Sequence, residues 1–275
     1  MGEINIQDYL EGKSLYGDDF TIGEINQWYA DEMNGYADLG SKESERYSYK
    51  YHAINIIHGF SSLNIEMFDR ILGFGAAYGH EIEPVRDKVG ELFILDPSPD
   101  LKSDMLYGIK VNHQSPKPSG KLDYPDDYFN LITCFGTLHH IANVSTVVRE
   151  LARTLKPGGI LLMREPIISM GDWRYPRKGL TKHERGIPVD LLKSMVKNSG
   201  LRIRKKNYCF FPVTRRLGAF FRYPVYNKRW TVRIDQVLSW MFRWNIRYHR
   251  TKKFHMLAPD SVFLVLEKES FWGKA

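Results

Sequence analysis

The sequence predicts an α/β fold, a mostly parallel sheet with helices on both faces. From Asp69 onward, short apolar runs alternate with helix-like segments: DRILGF, ELFILD, YGIKV, FNLITCF and GILLMRE. Strands that alternate with helices in this way pair in parallel, because each crossover helix returns the chain to the same edge. The first run opens onto a glycine turn, RILGFGAAYGHE at 70–81, of the kind that lets a backbone approach a ligand beyond the carboxyl ends of the strands. A chain of 275 residues, 43% of them hydrophobic, has material for one large core.

Taken in order, residues 1–67 are polar and tyrosine-rich. In SKESERYSYKYHAINIIHGF, Tyr47, Tyr51, Ile54 and His58 recur at spacings of three and four, so this region is read as a helical cap. The core is expected over 68–213. Within it Asn143 is placed to cap a helix whose stripe is Val144, Val147, Val148, Leu151 and Leu155, and LKPGG ends it. A loop over 166–187 follows, rich in Gly, Pro, Arg and Trp, with Trp173 and Tyr175 as its expected anchors. Loops of that length in compact domains are commonly functional. A helix from about 188 to 198 leads to the strand LRIRKKNYCFF. A basic aromatic helical insertion is expected over 214–256, and the last strand, SVFLVLEK, within 257–275.

The start of the chain has no basic stretch leading into an apolar one, and no apolar run approaches the roughly 20 residues that span a bilayer. A cytoplasmic protein is expected. Cys134 and Cys209 lie far apart, which suggests buried thiols rather than a disulfide framework, and no metal site is expected. The net charge of +7 is local: residues 214–256 carry eleven Lys or Arg, one acidic residue, Asp235, and ten aromatic residues.

Gly73, Gly75 and Gly79 give the turn its close approach, and ELFILD ends at Asp96, suited to accept hydrogen bonds from two ribose hydroxyls. A dinucleotide or S-adenosylmethionine would fit such a turn. Counted from Gly73, the G-x-G-x-x-G pattern of dinucleotide sites meets Tyr78 at its last glycine, whereas Gly75, Ala77 and Gly79 make a tighter G-x-A-x-G. GFGAAYG, FILD and FNLITCFGTLHHIANVSTVVRELARTLKPGGILLMREP together resemble the class I S-adenosylmethionine-dependent methyltransferases, especially the small-molecule type with LHH after the fourth strand. The resemblance covers about 69–166 and a tail strand at 261–268. It implies a Rossmann-like core of seven strands, the last antiparallel, with S-adenosylmethionine as cofactor. It further implies Gly75, Ala77 and Gly79 beneath the methionine part, Asp96 on the ribose, Pro97 and Ser98 beside the adenine, and Phe135 and Gly136 under the cofactor. Gly73 stands where the family commonly has a carboxylate. The stretch REPIISMGDWRYPRKGLTKHERGIP is similar to methyltransferases of bacterial surface-polysaccharide pathways, which implies a sugar or glycan acceptor.

Methyl transfer to a hydroxyl calls for a general base, and histidine suits neutral pH. His139 and His140 are candidates, with loop shaping or helix capping as their other reading. Glu165 is a third candidate base, and Arg164 a candidate ligand for a substrate anion. In the following loop Asp172, Trp173, Arg174 and His183 are candidate substrate contacts, with Arg177, Glu184 and Arg185 nearby. Arg46 and Tyr47 would form a lid or simply pack. In the basic segment Arg229, Arg233, Gln236, Trp240, Arg243, Arg247 and Arg250 share one helical face, with Ile234, Val237, Leu238, Met241 and Tyr248 on another. A packed helix with a solvated basic face, an interfacial helix on anionic lipid through 229–250, and nucleic-acid binding compete here, the last disfavoured for want of an RNA module. The expected activity is methylation of an oxygen, or less readily a nitrogen, of a sugar or related small molecule. An RNA methyltransferase and a non-catalytic binding protein remain as alternatives.

Overall fold

The computed structural model of the chain describes residues 6–37 and 48–269. Its helices are α1 (Ile6–Leu10), α2 (Ile22–Ala37), α3 (His52–His58), α4 (Val144–Thr154), α5 (Val189–Asn198), α6 (Pro212–Phe220) and α7 (Arg229–Met241). Its strands are β1 (Phe68–Phe74), β2 (Val89–Leu95), β3 (Met105–Leu106), β4 (Ile109–Gln114), β5 (Phe129–Phe135), β6 (Leu155–Pro166), β7 (Leu201–Cys209) and β8 (Ser261–Lys268). They form one sheet in the order β3-β4-β2-β1-β5-β6-β8-β7. The strands β4, β2, β1, β5 and β6 run parallel, and β8 inserts antiparallel between β6 and β7. This is the expected α/β architecture with one more strand. The extra strand, β3, pairs with β4 through a two-residue turn whose members Tyr107 and Gly108 both have positive φ, 51° and 79°, the geometry of tight hairpins.

The central strands read as continuous apolar runs because both faces are covered. Leu72, Ile132, Leu161 and Leu264 join α4 and α5 on one side, while Ile71, Leu131, Leu162 and Val265 meet α3 and α7 on the other. The expected stripe of α4 is buried throughout, but the helix begins differently from the sequence reading. Asn143 directs its Nδ2 to the carbonyls of Pro118 and Ser119, and the free amide of Ser145 donates instead to Asp18 Oδ1 at 2.8 Å. The cap of this core helix thus comes from a residue 127 positions away. LKPGG lies within β6, whose register against β5 shifts between Phe129 and Leu131.

The cap region contributes α1, α2 and α3, and among the described residues of the helix-like run around Tyr47 the α-helical ones are His52–His58. Arg46 and Tyr47 lie outside the described residues. Both cysteines are buried free thiols. Residues 214–256 form most of α6, all of α7 and shorter segments, so Arg243, Arg247 and Arg250 fall beyond the end of α7 rather than on its basic face, and Tyr248 beyond its apolar one.

Candidate functional site

Strand β1 lies between β2 and β5, whose following connections leave on opposite sides, so a crevice opens beyond its carboxyl end. A cavity of about 440 Å³ occupies that crevice. Gly75, Ala77, Asp96, Pro97, Ser98, Phe135, Gly136, Arg164 and His140 line it, as do Trp28, Tyr29, Glu32, Met33, Tyr49, Tyr51, Glu81 and Thr137.

The turn after β1 is held from the next strand. Gly75 N donates to Leu95 O at 2.8 Å, and Ala77 N donates to Asp96 Oδ2 at 2.8 Å. Asp96 also receives the amide of Ser98 on Oδ1 at 3.0 Å. Each carboxylate oxygen keeps a second lone pair, so Asp96 can still accept from a ligand while fixing the loops on both sides. Gly75 and Gly136 have φ of 67° and 70°, and a side chain at Gly75 would collide with Thr137. Ala77 takes the left-handed conformation too, with φ of 50°, at a cost of about 1–2 kcal/mol for a residue with a Cβ. Gly73 and Gly79 do not line the cavity. Gly73 lies in β1 against Ala76, and Gly79, with φ of 81°, packs over Ile94.

The carboxylate absent at Gly73 has a counterpart that the sequence reading missed. A Cβ on Gly73 would stand 3.8 Å from Thr133 Oγ1, and that hydroxyl donates to Glu81 Oε1. Glu81 belongs to the tight 3₁₀ segment His80–Lys88, which replaces the usual helix after β1 and contains Pro84. Burial pushes its carboxyl up to about 7, against the pull of the Thr133 hydroxyl and the Arg164 guanidinium. Arg164 is itself buried, donates to Asn55 Oδ1 at 2.7 Å, and sits 4.5 Å over the Tyr51 ring. Glu81, Arg164 and Asp96 thus line one cavity, a donor and acceptor set that fits the ammonium, carboxylate and ribose groups of S-adenosylmethionine.

The two histidines of LHH have different surroundings. His140 Nδ1 is 2.8 Å from Glu32 Oε2, a carboxylate on α2 that also receives the Thr181 hydroxyl at 2.6 Å and the His183 amide at 2.9 Å. Burial and the neighbouring His139 hold the His140 imidazole below its ordinary value, although Glu32 pulls the other way. Burial pulls Glu32 up, but the bonds from His140 and Thr181 leave it below the usual carboxylate range. His139 does not line the cavity; its Nδ1 is 3.0 Å from Glu165 Oε2. Glu165 is fully buried and accepts the amides of Thr137 and Leu138 on Oε1 at 2.8 and 2.9 Å. Unlike Asp96 it does not line the cavity, and its two oxygens tie the LHH loop to the end of β6. His139, His140 and Glu184 bring ligand-type atoms within 4.8 Å of one another, an unexpected grouping, but each already has a partner in the protein.

The loop residues expected to touch substrate are turned elsewhere. Asp172 and Arg174 pair with each other at 2.5 Å. Trp173 is buried and stacks on Tyr16 with ring centres 5.0 Å apart, whereas Tyr175 is exposed, with the Arg174 guanidinium 5.6 Å over its ring. His183 binds Asp31 at 2.8 Å and stacks on Trp28. None of these lines the cavity. The loop reaches the site through Thr181 and the His183 amide, which hold Glu32, and through Arg185. That guanidinium, wholly buried, donates to carbonyls of Tyr16, Leu138, His139, Ile141 and Ala142. Glu32 escaped the sequence reading, although Trp28, Tyr29, Glu32 and Met33 share one face of α2.

Comparison with known proteins gives the family. Residues 45–206 match a family described as a methyltransferase domain. Over 45 residues the chain is 44% identical to the ubiquinone/menaquinone biosynthesis C-methyltransferase UbiE of Neisseria meningitidis, covering 16% of this chain and 18% of that protein. It is 30% identical over 99 residues to the uncharacterized methyltransferase YcgJ of Bacillus subtilis (34% and 39%), and 26% identical over 113 residues to a demethylmenaquinone methyltransferase of Geobacillus stearothermophilus (41% and 44%). The matched stretches span less than half the length of each relative. In fold, the chain is similar to the [4+2]-cyclase SpnF, with a TM-score of 0.52 at 15% identity over 90% of this chain and 95% of that one. It is likewise similar to a putative methyltransferase from Bacillus halodurans, with a TM-score of 0.51 at 15% identity over 79% and 99%. The family match takes in more than half of the chain, and the chain belongs to the class I S-adenosylmethionine-dependent methyltransferases.

Proposed function

We propose that this chain methylates an acidic hydroxyl, or the carbon that such a hydroxyl activates, on a largely apolar acceptor. The observation that carries the reading is that the His140–Glu32 pair faces the same cavity as the turn held by Asp96. S-adenosylmethionine, when bound, supplies a methyl group already activated on a sulfonium. The chain's own residues then have three tasks: to hold the donor, to exclude water and to take the acceptor's proton. Asp96 is assigned to the ribose, Glu81 to the ammonium group and Arg164 to the carboxylate. His140, neutral near pH 7 because burial depresses it, accepts the proton on its ring, and Glu32 orients and stabilises the imidazolium that results.

The acceptor class follows from the wall. Ile25, Trp28, Tyr29, Met33, Tyr49 and Tyr51 give the cavity an apolar and aromatic side. A sugar would need several hydrogen-bonding groups there, and Asp172, Arg174 and His183, which the sequence offered for that purpose, bond to one another and to α2 instead. The printed names of two short matches, a ubiquinone/menaquinone C-methyltransferase and a demethylmenaquinone methyltransferase, favour a ring-bearing apolar acceptor.

Calorimetric titration of S-adenosylmethionine and S-adenosylhomocysteine into the wild type and Asp96→Ala tests the donor site. Loss of at least about tenfold in affinity is expected in the variant, the scale of one charge-assisted hydrogen bond. Transfer of labelled methyl to phenolic or quinol acceptors, with sugars and RNA as the compared classes, tests the acceptor. Transfer to sugars or RNA alone would overturn the apolar reading, and absence of donor binding by the wild type would leave a binding protein of this fold.

A further inference from the structure

The helices α6 and α7 are built inside out. On α7, Thr231, Val232, Asp235 and Ser239 are buried against the protein, while Trp230, Ile234, Val237 and Met241, followed by Trp244, form a continuous exposed stripe. Trp230, Trp240 and Trp244 are each about three-fifths exposed, at 61%, 62% and 62%. On α6, Val213, Leu217 and Phe220 point outward with the neighbouring Phe221, while Pro212, Thr214 and Gly218 face in. A helix that merely packs on a core turns its apolar stripe inward, so this arrangement is not a solvated basic face.

The exposed charge of this segment is of one sign. Arg215, Arg216, Arg222, Lys228, Arg229, Arg233, Arg243, Arg247, Lys252 and Lys253 are exposed. Asp235, the one acid among residues 214–256, is buried and accepts the amides of Phe210 and Phe211 at 3.0 and 2.8 Å. Self-association through this patch would place it against its own copy and bring like charges together. Exposed tryptophan and aliphatic side chains ringed by arginine match the boundary of an anionic bilayer, where the rings enter the headgroup layer and the cations remain at its surface. Among the described residues no helix is long and apolar enough to cross a membrane, so the contact would lie in the interface plane.

We propose that the α6–α7 face seats the enzyme on a lipid surface rich in anionic headgroups. The face is tied to the site: Asn227, between the two helices, accepts the His52 amide and donates to Tyr49 O, both at 2.8 Å, and Tyr49 and Tyr51 line the cavity. Docking therefore places one wall of the cavity close to the bilayer. The proposal stands on the exposed face alone and does not need the acceptor reading.

The test is co-sedimentation with vesicles of phosphatidylcholine containing about one-third phosphatidylglycerol, against pure phosphatidylcholine, at low and high salt, with tryptophan emission followed alongside. Wild type should bind the anionic vesicles, with a blue shift, and leave the neutral ones. Arg229→Gln with Arg233→Gln should lose about fivefold in partitioning per charge at low salt. Trp230→Ser with Trp244→Ser should lose binding and most of the blue shift, and both variants should bind S-adenosylmethionine as the wild type does. No binding, or equal binding to neutral vesicles, would overturn the proposal. So would a wild-type dimer in sedimentation equilibrium that the tryptophan variant converts to monomer.

Discussion

Replacing Glu81 by Gln should make the protein more stable and a weaker binder of its donor, and the two effects should carry the same pH dependence. The carboxyl is 3% exposed, and burial raises it from 4.5 to about 7. Below about pH 4.5 it is protonated whether the chain is folded or not. Between 4.5 and 7 the unfolded chain is ionised while the folded one holds its proton, so stability falls as pH rises through this window. Above 7 both are ionised and the full penalty applies, about 3 kcal/mol at 1.36 kcal/mol per tenfold. Glutamine keeps an oxygen to accept from Thr133 and has no charge to bury. Denaturant unfolding at a series of pH values should therefore give Glu81→Gln the same stability as wild type near pH 4, rising to an advantage of up to about 3 kcal/mol at pH 8. If Glu81 faces the ammonium group, donor affinity of the wild type should climb towards pH 7 with release of a proton on binding, and the variant should bind weakly at every pH. An advantage independent of pH, or unaltered donor affinity, would refute the assignment. The expected pairing of gained stability with lost function is common for buried charges at active sites.

His140→Ala should lose more than about tenfold in turnover while still binding donor; near-normal turnover would remove it from the chemistry. Glu32→Gln should lower kcat with little change in donor affinity and move the acidic limb of the rate profile to lower pH, because Glu32, together with Glu184, pulls the His140 imidazole up. A limb that stayed in place would mean that some other group titrates there. His58 is fully buried, both its ring nitrogens lack hydrogen-bond partners, and burial depresses it to about 3. As pH falls from 6.5 towards 3 the unfolded chain takes up its proton first, so His58→Leu should retain up to about 5 kcal/mol that the wild type loses over that range, read as a lower acid-unfolding midpoint.

The sheet and the turn that opens the cavity were legible because both follow from local rules. Continuous apolar runs report strands covered on both faces, and a glycine turn followed by an acid at the end of the next strand reports where a backbone can approach a ribose. Contacts across sequence distance were not legible. The start of α4 is satisfied by Asp18 rather than by Asn143, and the partner of His140 arrives from α2, over 100 residues away. The crowded polar loop after β6 reads as a substrate grip by composition alone. Its side chains nonetheless form pairs among themselves, and its contribution to the site runs through one hydroxyl and one amide that hold Glu32.

Periodicity also left undecided which face of α7 turns inward. It separates the residues into two stripes, but the rule that the apolar stripe is buried presumes that the core offers only apolar surface. Here the end of β7 offers the two amides of Phe210 and Phe211, and Asp235 takes both. An unmet pair of buried amides would cost about as much as leaving Ile234 and Val237 in contact with water, since each lost bond to a charged acceptor and each aliphatic side chain left unburied is worth about 1.5–3 kcal/mol. The polar stripe takes the interior, burial raises the Asp235 carboxyl to about 6, and the aromatic stripe is left outside. What fixes α7 on the protein is therefore the same choice that gives the surface its apolar, basic character.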